Sequence, residues 1–502
     1  MSNLAAIDVG SNAIRMLVSR VDMAGQLETL ESLRLPVRLG QDAFTSGQFG
    51  DRTMQMAVDA FLRFRQVAEL FEVSQTRAVA TSAMREAANS DLLVDRIVRE
   101  TGIAIEIIPS EEEARLIHLA VKHAVNIQGK IALLTDIGGG SIEVMLSDGE
   151  NILSTESFRM GTVRLLSKLN IPNGQKLPLN DLLREYAASA HRYIDREIGN
   201  RKIQICLGTG GNIEEMGKLR KRLFNKRRSD LIALDDLGRL IEYLGAMSVE
   251  ERIQRLDLNP DRADVILPAM IVLQMIAQGA RVREVLIPGV GLKDGVLLEM
   301  APLARGPSLP RRVQVMASVE RLGQKYAYDA EHAAVTSRLA GRLFDQTLSL
   351  HHLTENDRLL LEAAAMLHDI GHYINTIDHD KHGYYLLKHH TLIGLTPAEQ
   401  EIIANLVYYH RKQTPAASDE NIRALPQKDR IVITKLCALL RLADALDVSH
   451  LARLQDVIVE QQSIGQWRLY LLSQSEAMLE KWALAKRKSL FQDVFGVRLE
   501  VL

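Results

Sequence analysis

Two aspartate–glycine segments of this sequence carry groups that could hold an anion together with its counter-ion. In each, an apolar run ends in an aspartate, passes through a glycine-containing turn and continues into a second apolar run; the segments span 4–18 and 133–146. Glycine lets the backbone N–H groups of such a turn approach an anion closely. The aspartate at the strand end could hold a cation or its waters. A single copy is equally a plain β-hairpin, but two copies, with Asp8 and Asp136 128 residues apart, favour a duplicated domain with a phosphate in the cleft.

A third glycine turn, 208–212, follows the apolar run 203–207 and precedes the helical pattern 213–223. A strand, a glycine loop and a helix N-terminus together form an anion site through unpaired N–H groups and the helix dipole. No Gly-Lys-Ser/Thr follows, so this is not a Walker A loop, and the three-glycine dinucleotide fingerprint is also missing.

Glu113 lies in the acidic run that opens the helical pattern 110–124, and it has two competing interpretations. Ser110 and Glu113 have the spacing of a capping box, and acidic residues suit the first turn of a helix. A carboxylate beside a phosphate cleft could instead orient and deprotonate a water for in-line attack on phosphorus.

The composition excludes several classes of protein. The 502 residues carry a net charge of -2, which excludes a histone-like basic protein. The two cysteines, Cys206 and Cys437, cannot form a disulfide framework and suit a reducing cytosol. The N-terminus has no basic segment followed by an apolar one, so we expect no signal peptide. The longest apolar run, 263–280, is interrupted by polar residues and proline, as expected of a core helix. We therefore expect a soluble cytoplasmic protein without membrane contact.

The element pattern changes near residue 305. Before it, short apolar runs alternate with amphipathic helical patterns such as 53–71, which predicts α/β layers. A linker composition follows, with Pro302, Gly306, Pro307 and Pro310. Beyond it the pattern is helical to about residue 452, and 11 of the 14 histidines lie between His332 and His450. The last fifty residues hold possible strands at 456–460, 467–472 and 497–501.

Six motifs occur in the order seen in exopolyphosphatases and guanosine pentaphosphate phosphatases, the Ppx/GppA family of the actin-like superfamily, which this sequence resembles. The motifs lie at 8–12, 81–85, 112–115, 136–143, 208–211 and 291–296. The resemblance implies two duplicated actin-like (ribonuclease H-like) lobes, at 1–125 and 126–302. An all-α HD-like domain at 311–452 and a small α+β C-terminal region at 453–502 would follow them.

The resemblance also implies hydrolysis of a terminal phosphoanhydride, with inorganic polyphosphate as the preferred substrate. Glu113 resembles the family's general base, and Asp136 and Glu143 resemble the ligands of Mg²⁺. The residues implied to bind substrate phosphates are Asn12, Arg15, Arg85, Gly138, Gly139, Gly140, Ser141, Gly208, Gly210 and Gly211. The alternatives are a nucleotide-directed enzyme, either a pppGpp 5′-phosphohydrolase or a phosphotransferase to ADP, and a polyphosphate or alarmone sensor without turnover. The family further implies a homodimer.

In the histidine-rich region, His332, His368, Asp369 and Asp444 resemble in order the ligands of HD-superfamily metal phosphohydrolases. Imidazoles with carboxylates suit Mn²⁺, Fe or Zn²⁺, and His382 and His410 could complete a second metal position. The alternative is a degenerate structural domain without metal. Five other histidines are interpreted as ordinary core or surface residues: His351, His352, His372, His379 and His450.

Seven cations lie within 218–228. Such a run is usually a solvated helix face. Because this one follows the third glycine turn, a track for a polyanion is the alternative. Nucleic acid is not expected as a partner, since only Phe224 offers a ring for stacking.

Overall fold

The computed structural model describes residues 2–22, 26–168, 192, 196, 201–301, 311–473 and 476–502. The chain forms two compact units, Met1–Ser308 and Leu309–Leu502. The predicted proline- and glycine-rich linker falls outside the described residues.

The first sheet of the N-terminal unit has five strands in the order β3-β2-β1-β4-β5. The strands are β1 Ser2–Val9, β2 Ile14–Val21, β3 Leu27–Leu35, β4 Val73–Ala80 and β5 Ile105–Ile107. β1, β2 and β3 pair antiparallel, whereas β4 lies parallel to both β1 and β5. Both faces of β1 are covered, which is why its sequence is almost continuously apolar instead of alternating.

The second sheet repeats this topology and adds one edge strand. Its strands are β6 Ala132–Ile137, β7 Ile142–Ser147, β8 Ile152–Phe158, β9 Ile205–Thr209, β10 Leu231–Ala233 and β11 Glu284–Leu286. In space β8-β7-β6-β9-β11 has the order and the strand directions of β3-β2-β1-β4-β5, and β10 is the additional strand. The predicted duplication of the α/β lobe is confirmed.

The two hairpins also match residue by residue. In the first, Asp8 on β1 lies opposite Arg15 on β2. In the second, Asp136 on β6 lies opposite Glu143 on β7. The two aspartates therefore occupy equivalent positions in the two lobes, and their cross-strand partners carry opposite charges.

Helices surround the two sheets. They are α1 Leu39–Thr45, α2 Asp51–Leu70, α3 Ser82–Glu86, α4 Ser90–Thr101, α5 Ser110–Ala124, α6 Thr162–Lys168, α7 Gly211–Leu223, α8 Leu234–Gly245, α9 Val249–Leu256, α10 Pro260–Ala263, α11 Ile266–Gly279 and α12 Leu292–Met300. The stretch Pro260–Gly279 is long and apolar enough to cross a membrane, but 78% of its most apolar window is buried inside the fold. This is the burial expected of a core helix.

Three of the seven cations in the basic run after the third glycine turn pair with nearby acidic residues. Arg220 is buried and donates from Nε to Asp236 at 2.7 Å. Lys226 lies 3.4 Å from the same carboxylate. Arg228 pairs with Asp230 at 2.8 Å. The buried Arg220–Asp236 pair is a structural contact, whereas the exposed Arg228–Asp230 pair adds little stability. The polyanion track stays a prediction.

The C-terminal unit consists of helices with a small sheet. Its helices are α13 Arg311–Lys325, α14 Ala330–Gln346, α15 Leu348–His351, α16 Glu355–Leu367, α17 His379–His389, α18 Pro397–Tyr409, α19 Glu420–Arg423, α20 Gln427–Ala445 and α21 Met478–Phe495, with a 3₁₀ turn at Ile370–Tyr373. Its strands are β12 Leu454–Ser463, β13 Gln466–Ser473 and β14 Arg498–Val501. Leu454, Trp467 and Leu499 of these strands belong to the same hydrophobic core as the helices. The sheet and the helices are therefore one packed body.

Candidate active site

A cavity of about 380 Å³ lies between the two lobes of the N-terminal unit. Its walls include the β1–β2 turn from one lobe and the β6–β7 turn from the other. The start of α7 and the first turn of α5 complete it with Gly211 and Glu113. The three glycine turns singled out in the sequence are thus brought to one place, at the carboxyl ends of β1, β6 and β9, where α/β folds hold ligands.

Glu113 faces this interlobe cavity, and it does not cap its helix. Helix α5 begins at Ser110 after Pro109, and no side chain caps it. The Glu113 N–H donates to the Pro109 carbonyl at 3.0 Å, which makes Pro109 the first acceptor of the helix. The capping-box interpretation of Ser110 and Glu113 is therefore wrong. The Glu113 side chain lines the cavity although the residue is only 7% exposed.

Arg85 contacts this carboxylate. Its Nη1 donates to Glu113 Oε2 at 3.0 Å and to the carbonyl of Ile108 at 2.7 Å. Arg85 is not among the residues that line the cavity. Its observed side-chain partner is Glu113, and phosphate binding by Arg85 stays a prediction. Burial, followed by the nearby charge of Glu143, raises the pKa of Glu113 well above its usual value, and Arg85 acts in the opposite direction. A carboxylate with a raised pKa is a stronger base, as proton abstraction from water requires.

Asp136, which is half-buried, and Glu143, which is buried, form an acidic pair next to Glu113. Asp136 accepts a hydrogen bond from the Thr209 hydroxyl, and Glu143 accepts one from Ser157 at 3.0 Å. Burial raises the pKa of Asp136, and burial and the Asp136 charge raise that of Glu143. The hydrogen bonds and the nearby charges of Arg15 and Arg85 offset these effects only in part, so the fold holds like charges together at this place.

The donor set fits a hard divalent cation. Glu143 is 1% exposed, and its Oε2 has no hydrogen-bond partner among the described residues. Leaving a buried carboxylate oxygen unpaired is costly. Carboxylate oxygens are the ligands that Mg²⁺ prefers, and Mg²⁺ at Asp136 and Glu143 stays a prediction.

The residues of the β6–β7 turn differ in their placement. Gly138, Gly139 and Ser141 line the cavity, whereas Gly140 does not. The Gly138 N–H already donates to the Ser141 carbonyl at 3.1 Å. The Gly140 carbonyl accepts a hydrogen bond from Arg164 Nε at 2.8 Å, and this contact holds the turn against the start of α6. Phosphate binding by Gly139 and Ser141 stays a prediction.

Gly161 fixes the position of this turn, and alanine should not be tolerated there. A Cβ at Gly161 would lie 2.3 Å from the backbone nitrogen of Gly140. We expect Gly161→Ala to lower the free energy of unfolding by roughly 1–3 kcal/mol, since the backbone must shift, and to lower turnover. Urea unfolding followed by circular dichroism measures the first effect. Gly245→Ala, where a Cβ meets nothing within 4 Å, is the control and should be neutral or slightly stabilising. Equal stabilities of the two variants would contradict the expectation.

The third glycine turn contributes Gly210 and Gly211 to the cavity. Gly210 has a φ of 97°, a conformation that side chains disfavour, and Gly211 begins α7. The positive end of this helix therefore faces the cavity. Gly208 instead lies within β9, against Ile213 and Val285, and does not line the cavity.

The β1–β2 turn contributes Asn12, and β2 contributes Arg15; both line the cavity. Asn12 Nδ2 donates to the carbonyl of Asp261 at 2.9 Å, which links the two lobes. Arg15 lies 3.6 Å from its cross-strand partner Asp8.

Sequence reasoning missed several residues of the cavity wall, namely Arg34, Glu214, Arg262 and Lys293. Lys293 lies within the motif at 291–296, so its motif could have identified it. The two arginines carry no local motif: Arg34 comes from β3 and pairs with Asp261, and Arg262 comes from α10 and donates to the Gly211 carbonyl. They meet only in the folded protein.

In the C-terminal unit, ligand atoms of His332, His368 and Asp444 all lie within 4.8 Å of one another. Asp369 joins two further groups of this kind, one with His332 and His450 and one with His372 and His379. Burial lowers the pKa of His410 to about 4. Nε2 of His379 lies 3.2 Å from Nε2 of His410. The sequence predicted that His382 would accompany His410, and the structure places His379 there. These contacts with a histidine and with Asp369 do not fit the interpretation of His379 as an ordinary core residue.

Two lobes of one topology, with glycine turns and acidic residues around the cleft between them, define a protein of the actin-like fold class. A model of the Ppx/GppA phosphatase family matches residues 17–304, and a model of domain III of the same family matches residues 315–489. The chain belongs to the Ppx/GppA phosphatase family and is accordingly a hydrolase of phosphate compounds.

Two solved structures illustrate the relationship. An exopolyphosphatase from Cytophaga hutchinsonii is 25% identical with a TM-score of 0.57, and the match covers 60% of this chain and 98% of that one. An exopolyphosphatase-like protein is also 25% identical, with a TM-score of 0.53 and coverage of 60% and 98%.

Proposed function

We propose that this protein is an exopolyphosphatase that removes orthophosphate from the end of inorganic polyphosphate. The observation that carries the proposal is the placement of Glu113, a carboxylate with a raised pKa, in a cavity that the glycine turns also line. The similarity to an exopolyphosphatase supports the same substrate class.

In the proposed reaction, Glu113 accepts a proton from a water that attacks the terminal phosphorus. The new bond joins the water oxygen to phosphorus, and the bond from phosphorus to the bridging oxygen breaks. The bridging oxygen leaves with the shortened chain, and the terminal group departs as orthophosphate. Arg85 holds the carboxylate in place through its 3.0 Å contact. A Mg²⁺ held by Asp136 and Glu143 would offset the charge of the phosphate oxygens.

The cationic side chains of the cavity wall support a polyanionic substrate. Four of them, Arg15, Arg34, Arg262 and Lys293, line it together with four acidic residues, Asp8, Glu113, Asp136 and Glu214. A bound divalent cation would offset the acidic residues. A Cβ added at Gly211 would lie 2.6 Å from Nη2 of Arg15 and 2.8 Å from Nη2 of Arg262, so these two cations lie close together. Mutually repelling cations favour a ligand with several adjacent negative charges.

The wall also bears on the nucleotide alternative. Among the described residues that line the cavity, none has an aromatic ring. Guanine recognition commonly uses stacking on such rings. The cavity wall thus has more side chains that can contact phosphate groups than side chains that can contact a nucleobase. This supports polyphosphate over pppGpp as the substrate.

Time-resolved release of orthophosphate tests the proposal. Long-chain polyphosphate and pppGpp are compared at equal concentrations of terminal phosphate, first with Mg²⁺ and then with Mn²⁺. We expect a higher kcat/KM with polyphosphate. A higher value with pppGpp would favour the pppGpp phosphohydrolase, and binding of both ligands without release would favour the sensor. A homodimer, which the family implies, and a cytoplasmic location, which the cysteine content and the N-terminal sequence led us to expect, stay predictions.

A further inference from the structure

Helix α5, which carries Glu113 in its first turn, contacts strand β7, which carries Glu143, at a point outside the interlobe cavity. Side chains of a strand point alternately to its two faces, so Glu143 and Ser147 share one face of β7. Ser147 on this face contacts His118 of α5. Glu143 lies opposite Asp136, and Asp136 and Glu113 line the same cavity. The proposed base and the predicted metal ligand therefore belong to two elements that His118 and Ser147 join.

The contact between His118 and Ser147 is a buried hydrogen bond between neutral groups. Nε2 of His118 lies 2.8 Å from Oγ of Ser147, and the two residues are 4% and 0% exposed. Burial, followed by the charge of Lys122, lowers the pKa of His118 to about 4, so the ring is neutral in neutral solution. The Gly149 N–H donates to the same hydroxyl oxygen at 3.0 Å, which fixes the position of Ser147 Oγ.

The other side chains on the buried side of α5 give no such direction. Apolar residues flank His118 and are at most 1% exposed, namely Ala114, Ile117, Ala120 and Val121. Apolar attraction is non-directional, so this packing by itself allows small movements of the helix along the strand. A hydrogen bond requires a set distance and angle, and breaking it here would leave two polar groups without water. The His118–Ser147 pair thus selects one position of α5 on β7.

A small movement of α5 would carry Glu113 with it. Glu113 precedes His118 by five residues, which is about 7.5 Å along the axis of one continuous helix. Because helices move as rigid elements, a shift at His118 reaches the carboxylate almost undiminished. A displacement of about 1 Å in a reacting group can cost about 10²-fold in rate.

We propose that His118, through its hydrogen bond to Ser147, is a positioning residue that sets the place of Glu113 relative to Asp136 and Glu143. This role rests on the proposed function, in which Glu113 is the base and the other two carboxylates hold the cation. Neither His118 nor Ser147 is among the residues that line the cavity. The pair therefore acts on the reaction only through α5 and β7.

Orthophosphate release by Ser147→Ala and by His118→Phe tests the role. We expect each variant to lower kcat for polyphosphate about 10- to 100-fold. The KM for polyphosphate and the half-saturating Mg²⁺ concentration should stay unchanged, because Asp136 and Glu143 pair between β6 and β7 without α5. The double variant should be no slower than the slower single variant, since both substitutions remove one hydrogen bond. His118→Gln, whose amide can reach the hydroxyl, should recover most of the rate.

Lys122→Gln is the matched control. Lys122 also joins α5 to the β7 side of the fold, through Glu150 in the turn between β7 and β8, but this ion pair is partly exposed. Such a pair contributes little, and the variant should keep the parental kcat. A Ser147→Ala protein with a normal melting curve and the parental kcat overturns the positioning role. An equal loss of kcat in Lys122→Gln would also overturn it, because any loosening of α5 would then have the same effect.

Amide hydrogen–deuterium exchange of the substrate-free protein separates this role from the proposed function. In Ser147→Ala, peptides covering α5 should exchange faster than in the parent protein, whereas peptides covering β1 should exchange at the parental rate. Parental exchange in α5 overturns the positioning role whatever the substrate is. A parent protein that releases no orthophosphate from polyphosphate would instead refute the proposed function, and the exchange rates would still show whether the pair holds α5 in place.

Discussion

Glu113→Gln should lower kcat for polyphosphate hydrolysis by about 10²- to 10⁴-fold while leaving polyphosphate affinity nearly unchanged. Glutamine keeps the size of the side chain and can still hydrogen-bond, but it cannot take a proton from water. Because the residue is buried against Arg85, the substitution removes the negative partner of that cation without opening a space. Orthophosphate release gives kcat, and equilibrium binding of labelled polyphosphate gives the affinity.

Glu111→Gln is the matched control for this experiment. Both glutamates lie in the first turn of α5, so each substitution removes one favourable interaction with the helix dipole. Glu111 is not among the residues lining the cavity, and we expect near-normal turnover. If Glu113→Gln were as active as Glu111→Gln, the carboxylate would have no part in the chemistry.

Glu143→Gln should abolish stimulation by Mg²⁺ and at the same time raise the Tm of the metal-free protein. The substitution removes a charge that burial and Asp136 both disfavour, so the folded state gains stability when no cation is present. Turnover should fall by on the order of 10²- to 10³-fold, since the charge developing on the phosphate loses its counter-ion. Melting curves with and without Mg²⁺, together with phosphate release, measure both effects.

Glu156→Gln on the neighbouring strand β8 changes the same charge at an exposed position. It should leave both the Tm and the response to Mg²⁺ close to those of the parent protein. A Glu143→Gln protein that melts lower without metal, or that is still stimulated by Mg²⁺, would show that this carboxylate is a structural group.

The features that the sequence made predictable are those that are local in the chain. The strand, glycine turn and strand of each hairpin are contiguous in the chain. The repeat could therefore be recognised in the sequence, and it predicted the duplicated sheet. The acidic run at Glu113 was visible as well. Its capping interpretation failed because Pro109, not Ser110, supplies the first carbonyl of the helix.

The features that escaped prediction are assembled from distant parts of the chain. Arg262 reaches the cavity from a short helix without a motif, and its partner Gly211 is 51 residues away. His379 meets His410 across 31 residues, and a single histidine at a helix start has no spacing that distinguishes it. Only the packing of the helices decides which histidines converge.

The paired hairpins differ in one respect that gives the cleft a direction. Asp8 faces Arg15 across its strand pair, whereas Asp136 faces Glu143. In the first hairpin the aspartate has a cationic partner 3.6 Å away, so its charge is offset within its own lobe. In the second, the aspartate and the glutamate leave two like charges together, and an added cation would be attracted to that wall alone. The two copies of the duplicated hairpin are therefore electrostatically unequal, and this inequality gives the cleft a polarity.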